Sequence, residues 1–227
     1  MNWKNKVFKN FKLYAVTDLR EEAPSVLEKV EAAYRGGADI VQLRSKTLSD
    51  AALYRLGLQW RRIADRYQKL FFVNDRLDLA LAVGADGVHL GQEDLPVKGV
   101  RKILARGPLF IGRSTHSLEQ ALAAVKEGPD YIGVGPIFET PTKPTYQPVG
   151  TDLIRQVARR VRIPFVCIGG INQDNLQQVL DAGARRVAVV RAIFEAEDVE
   201  QATKDIKKII DGHFVNKKRG QVFVKPD

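Results

Sequence analysis

Eight short hydrophobic runs, each followed by a longer amphipathic or polar stretch, constrain this chain more than any other feature of its sequence. The runs are "LYAVT" (13–17), "DIVQL" (39–43), "LFFV" (70–73) and "GVHL" (87–90), then "LFIG" (109–112), "YIGVG" (131–135), "PFVCIG" (164–169) and "RVAVV" (186–190). Each is near-continuously apolar instead of alternating. That is the signature of strands covered on both faces, as in a parallel sheet wrapped by helices.

The intervening segments supply those helices. "APSVLEKVEAAYRGG" spaces its apolar residues by three and four and stops at Gly36-Gly37. "LSDAALYRLGLQWRRIADRY" opens with Ser49-Asp50 as capping material. "HSLEQALAAVKEG", "TDLIRQVARRV" and "NQDNLQQVLDAG" behave alike, and a last helix is expected over about 198–210. The phrases "GGADIV", "AVGADGVHL" and "DAGARRVAVV" repeat a compact helix-to-strand turn, which argues for a repeated βα unit. Eight such units predict an α/β chain closed into a single (β/α)₈ TIM barrel over 12–210. It would carry a short N-terminal extension (1–11) and a basic C-terminal tail (211–227). An open doubly wound sheet is the competing fold, but no G-x-G-x-x-G follows the first strand.

Composition matters mainly for excluding partners. The formal charge is +9 and the sequence pI about 9.6, which invites a nucleic-acid reading. Yet Lys4, Lys6, Lys9 and Lys12 put +4 on the first twelve residues, and 213–227 carry another +3. The body is left nearly neutral, so no nucleic-acid partner is expected. No run approaches the roughly 18 apolar residues of a membrane-spanning helix, and "MNWKNKVFKNFK" lacks the apolar region of a secretory signal. The single cysteine, Cys167, cannot form an internal disulfide and fits a cytoplasmic setting. It lies inside a strand pattern and reads as a core residue. Barrels often self-associate, so a homo-oligomer is compatible with the sequence.

Barrel active sites lie at the C-terminal ends of the strands. Those ends read "QLRSK", "VND", "HLGQED", "GRSTH", "GPIFETPTK", "IGGI" and "VVRA" from the second strand to the eighth. The set is rich in groups that bind phosphate. Arg44 can grip phosphate oxygens in a fork and Lys46 offers a point charge, although both could instead be a solvated helix start. Asp75 and Asp94 end neighbouring strands, as two carboxylates holding Mg²⁺ would. Taken alone, Asp75 could cap the helix "RLDLALAV". Ser117 with Gln120 forms a capping box, and His116 beside it could be an acid/base or simply structural. Gly169-Gly170 and Val190-Arg191 fall in the loops that often cradle a phosphate in barrels, though turn-making alone would also explain the glycines. No serine or cysteine nucleophile with a partner base emerges, nor any Cys/His zinc spacing. The chemistry indicated is electrostatic, with cations and a metal gripping a diphosphate.

The phrases "VQLRSK", "FFVNDR", "GVHLGQED", "GRSTHS", "YIGVGPIFETPTK" and "CIGGI", in that order, resemble the thiamin phosphate synthase family over about residues 12–210. The resemblance implies a transferase that joins hydroxymethylpyrimidine diphosphate to thiazole phosphate (or its carboxylated form), giving thiamin phosphate and pyrophosphate. It implies two small phosphorylated substrates and one Mg²⁺ per subunit. It also implies roles for particular residues. Gln42, Arg44, Lys46 and Asn74 would bind the pyrimidine diphosphate, Asp75 and Asp94 would hold the metal, and Ser114 would contact the diphosphate or pyrimidine side. Thr140 and Thr142 would hold the thiazole phosphate, with Gly170 and the backbone at Val190-Arg191 completing the cradle. Lys143 would reach the departing pyrophosphate. Arg44, Lys46 and Lys143 would thus be the catalytic cations.

Such chemistry needs no base, because the thiazole nitrogen attacks through a lone pair and has no proton to lose. The long stretch "GVGPIFETPTKPTYQPVG" (133–150) then reads as a lid that keeps water from a cationic intermediate. The rival is a thiazole tautomerase-type paralogue, which can share "NDR" and a "GRS-x-H" stretch and would use His116 as acid/base. Asp94 and the complete "TPTK" favour the synthase. Arg191 departs from the pattern, standing where many synthases carry a small residue.

Overall fold

A computed structural model describes residues 3–23, 25–105, 107, 109–141 and 146–220, the side chains of 216–220 excepted. The first half of the chain runs α1 (Trp3–Asn10), β1 (Leu13–Val16), α2 (Ser25–Arg35), β2 (Ile40–Leu43), α3 (Asp50–Arg66), β3 (Leu70–Asn74), α4 (Leu77–Ala82), β4 (Gly87–Leu90) and α5 (Val97–Leu104). The second half runs β5 (Phe110–Thr115), α6 (Leu118–Glu127), β6 (Tyr131–Val134), α7 (Gly150–Arg160), β7 (Phe165–Cys167), α8 (Leu176–Asp181), β8 (Val187–Val189), α9 (Arg191–Phe194) and α10 (Val199–Gly220). The eight strands pair in sequence order, all parallel, and β1 closes on β8 with Leu13 opposite Val187. This is the expected (β/α)₈ barrel, and every predicted strand is present.

Strand period two divides the core into two apolar layers. Leu13, Val41, Phe71, Val88, Ile111 and Ile132 face outward and pack under the helices. Tyr14, Ile40, Leu70, Phe72, Tyr131 and Val166 face inward and fill the barrel itself. The same phase places Gln42, Asn74, His89 and Ser114 on the inner face, one or two layers above that filling. The register confirms the level, pairing Asn74 with His89 and Ser114 with Gly133.

Both extensions contain helix that the sequence reading does not assign. The N-terminal extension forms α1, which closes the floor of the barrel. The Phe8 ring stacks on Phe110 at 3.9 Å and lies edge-on to Tyr131 at 6.1 Å. Lys4 reaches Asp86 at 2.7 Å, and Arg61 from α3 meets the same carboxylate at 2.6 Å. Its lysines hide the pattern, for Trp3, Val7 and Phe8 share a helical face and Phe11, just past the helix, joins the same cluster. The last helix does not stop near 210 but continues to Gly220, so 211–220 is helix and only 221–227 lies outside the described residues. Ile206, Ile210 and His213 on it are buried, which carries the amphipathic face past the expected end.

Candidate active site

The strand ends converge on two adjoining chambers. A narrow one of about 80 Å³ lies over the barrel axis between Gln42, Arg44, Asn74, His89, Ser114 and His116. A wider one of about 430 Å³ lies over the loops after β7 and β8, lined by Gly170, Asn172 and Arg191. Thr140, Gly169 and Val190 line both, so the chambers share a wall.

Arg44 is buried yet charged. Its guanidinium pairs with Asp18, just beyond β1, and its side chain is 8% exposed. Reading the rim from the second strand onward misses Asp18, although its place after "LYAVT" is itself a strand end. Lys46 is outermost and donates to Asp75 Oδ2 at 2.6 Å. Asp75 has φ of 60° and its amide donates to the His89 carbonyl at 2.8 Å, which turns its carboxylate toward the rim. It is not a helix cap, since the N-cap of α4 is Arg76, with no side-chain cap bond.

Asp94 folds back on its own loop, accepting from the Gly91 amide at 2.6 Å, and its carboxyl meets that of Asp75. Burial works to raise the Asp75 carboxyl, but hydrogen bonds from Lys46 and Asp94 outweigh it and hold it below its ordinary range. Asp94 goes the other way, raised by burial despite the Gly91 amide, with the Asp75 charge adding to the rise. Two carboxyls in one place with one of them reluctant to ionise is an arrangement that a cation relieves. Among the described residues no cluster of three or more His, Cys, Asp or Glu could hold a metal. Asp75 and Asp94 bring carboxylate oxygens together, and such hard donors would suit Mg²⁺ with phosphate and water completing its shell.

Further in, Gln42 Nε2 donates to the Tyr14 hydroxyl at 2.6 Å, and Tyr14 meets the Tyr131 hydroxyl at 3.3 Å. Tyr131 is 2.9 Å from His89 Nδ1, and His89 Nε2 is 2.8 Å from Ser114 Oγ. The rim phrases contain neither tyrosine as a site residue, because both lie a layer below the rim. The phase of "LYAV" and "YIGV" nevertheless puts them on the face of Gln42 and Ser114. His116 donates through Nδ1 to the Gly135 carbonyl, and its ring lies 4.2 Å from that of Tyr146. Ser117 caps α6 as expected, accepting from the Gln120 amide at 3.2 Å, while Gln120 reaches back to the His116 amide instead of that of Ser117.

In the wider chamber, Phe138 N donates to the Gly169 carbonyl at 3.0 Å and Ile137 N to that of Ile168 at 2.9 Å. These bonds knit the loop bearing Thr140 onto the β7 end. Gly170 has φ of +64°, and a Cβ there would stand 2.5 Å from the Glu139 carbonyl oxygen. Close packing of two loops therefore requires this glycine, beyond simple turn-making. The Arg191 side chain pairs with Glu195 at 2.8 Å and is half exposed, so it is engaged along α9. Thr142 and Lys143 lie outside the described residues.

Known proteins match this architecture closely. A family model named TMP-TENI and described as thiamine monophosphate synthase matches residues 13–193, from the start of β1 into α9. A thiamine-phosphate synthase of Pyrococcus furiosus is 44% identical over 211 residues, spanning 93% of this chain and 98% of that one. Another from Shouchella clausii is 49% identical over 200 residues, 86% of this chain and 94% of its own. The solved structure of thiamine phosphate pyrophosphorylase from Pyrococcus furiosus matches with a TM-score of 0.83 at 41% identity, covering 91% of this chain and 98% of that one. Matched along the barrel by the family model and nearly end to end by these relatives, the chain belongs to the thiamine monophosphate synthase family.

Proposed function

We propose that this protein condenses hydroxymethylpyrimidine diphosphate with thiazole phosphate, or with its carboxylated form and loss of CO2, to give thiamin phosphate and pyrophosphate. The observation that carries the reading is the pair of chambers sharing Thr140, Gly169 and Val190, with Arg44 and Asn74 lining the narrow one and the Lys46–Asp75 pair starting one residue beyond Asn74. Two phosphorylated substrates held across a shared wall would present their reacting atoms to each other.

Gln42 and Asn74 would seat the pyrimidine, and Arg44 and Lys46 would face its diphosphate. The bond from the pyrimidine methylene to oxygen breaks with its electron pair going to the diphosphate. The aminopyrimidine ring spreads the resulting positive charge. The thiazole nitrogen then donates its lone pair to the methylene carbon, so no proton changes hands and no base is required. Arg44 is suited to its part because Asp18 and burial fix it before substrate arrives, so little reorganisation is needed as charge develops. Thr140 and the backbone at Gly170 and Val190-Arg191 would receive the thiazole phosphate. Thr142 and Lys143 belong to the same proposal through the family resemblance, Lys143 reaching the leaving group.

Asp75 and Asp94 would hold one Mg²⁺, which when bound would neutralise charge on the departing pyrophosphate. His116 is occupied by the Gly135 carbonyl and the Tyr146 ring, which supports a structural part and weighs against a tautomerase built on it. Cytoplasmic residence is part of the proposal, supported by the single buried thiol of Cys167. No helix among the described residues is long and apolar enough to cross a membrane.

The test is pyrophosphate release by the purified protein with both substrates, with and without Mg²⁺. Release requiring both substrates and the metal, with thiamin phosphate as co-product, is expected. Silence with both substrates and metal present would sink the reading and make His116 the next residue to change.

A further inference from the structure

Gln42, Tyr14, Tyr131, His89 and Ser114 form a single hydrogen-bonded file from inside the barrel to the narrow chamber, and its chemistry sets a direction. The Gln42 amide nitrogen can only donate, so the Tyr14 oxygen accepts from it. The Tyr14 proton then has the Tyr131 oxygen as its partner. Tyr131 in turn donates to His89 Nδ1, which places the ring proton on Nε2, donating to Ser114 Oγ. Run the other way, Tyr14 would receive two donors while its own buried proton lost its acceptor, an expensive arrangement away from water. Burial pushes both phenols far above their ordinary range, so both remain protonated donors.

The contact between Tyr131 and His89 is built into the sheet. Gly112 lies between them in the ladder, opposite His89 on one side and Tyr131 on the other. A Cβ at Gly112 would come within 2.2 Å of Tyr131 Cζ and 2.5 Å of His89 Nδ1. Only a glycine lets the phenol reach the imidazole across that strand. From below, the rings of Phe8 and Phe11 lie edge-on to Tyr131 at 6.1 and 6.3 Å and support it.

We infer that Tyr131 is a positioning residue for the transfer: through His89 it turns the Ser114 hydroxyl proton into the chamber, as a hydrogen-bond donor to an acceptor atom of the pyrimidine diphosphate. The inference rests on the proposed contact between Ser114 and that substrate. With one Ser114 lone pair held by His89 Nε2–H, the hydroxyl proton is left to point outward. Tyr131 never touches substrate.

A double-mutant cycle in the full chain, with both substrates and Mg²⁺, tests this. Tyr131→Phe keeps the ring and removes the hydroxyl. It should lower kcat/KM for the pyrimidine diphosphate by about five- to tenfold while leaving KM for the thiazole phosphate unchanged. In a Ser114→Ala background the same change should cost nothing further, because the file then has no hydroxyl to orient. Equal losses in both backgrounds would overturn the inference, since Tyr131 would then act through packing alone. If Ser114→Ala is itself silent, the file and the Ser114 contact both fall, while product formation by the unaltered protein keeps the broader reading. Should Tyr131→Phe fail to fold, His89→Leu breaks the file at its last link to Ser114 and carries the same cycle.

Discussion

Gly170→Ala is the substitution that most directly probes the wall between the chambers. Two costs can be worked out separately. At φ of +64° an alanine is strained by about 1–2 kcal/mol. The added Cβ would also lie 2.5 Å from the Glu139 carbonyl oxygen and 2.7 Å from Phe138 Cβ. The first of these is backbone and cannot swing aside like the tip of a long side chain. Relief requires the loop to retreat by roughly half an ångström or more, which adds about 1–3 kcal/mol of overpacking. The total of about 2–5 kcal/mol corresponds to a fall in Tm of about 4–20 °C for a chain of this size. Gly84→Ala is the matched control. Its φ is +66° and nothing lies within 4 Å of the new Cβ, so it carries the strain without the collision. Its Tm should fall by only about 2–8 °C. Because the retreating loop carries Thr140, Gly170→Ala should also raise KM for the thiazole phosphate on the order of tenfold, and Gly84→Ala should not. Thermal circular dichroism and initial rates of pyrophosphate release read both quantities. Equal Tm losses in the two variants, with an unchanged thiazole phosphate KM, would refute the reasoning.

Asp94→Asn should raise the Mg²⁺ needed for half-maximal pyrophosphate release by about 10–100-fold, measured by metal titration. Lys143→Ala should lower turnover strongly while leaving the circular dichroism spectrum and Tm unchanged. Asp86→Asn leaves Arg61 and Lys4 without their shared carboxylate, a loss of about 3–5 kcal/mol, and should lower Tm by about 6–20 °C with kcat intact at 25 °C. Burial disfavours the Asp211 charge, yet Lys12 at 2.7 Å and Lys207 at 2.6 Å outweigh it and hold the carboxyl below its ordinary range. A depressed carboxyl stabilises above its unfolded value and loses that contribution as acid protonates it. Asp211→Asn should therefore lower Tm at pH 7 by at most about 2–4 °C and leave the acid-end midpoint where it was.

The strands and the polar rim are legible in the sequence because parallel strands covered on both faces cannot hide among polar residues. "VQLRSK" and "FFVNDR" change from apolar to charged at the point where each strand leaves the barrel. Less visible is anything whose partner lies far away in the chain. Asp18 matters only through Arg44, and Tyr131 only because Gly112 leaves room beside it. Helix α1 escapes notice because its lysines dominate an eight-residue segment whose apolar side has no meaning until a barrel floor exists to receive it. The extra turns of α10 escape for a similar reason, since charged residues on the outer face obscure Ile206, Ile210 and His213 on the inner one.

That floor has a consequence for how the chain is made. Phe8 and Phe11 emerge from the ribosome first, but their partners Phe72, Phe110 and Tyr131 follow only after long intervals of synthesis. Strand β1 waits longer still, because its second neighbour, β8, is the last of the eight barrel strands to appear. Contacts so distant in sequence close slowly and leave apolar surface uncovered in the meantime. An unfinished barrel therefore shows water a ring of aromatic side chains, so the helix that seals the completed enzyme is a sticky end on the nascent one.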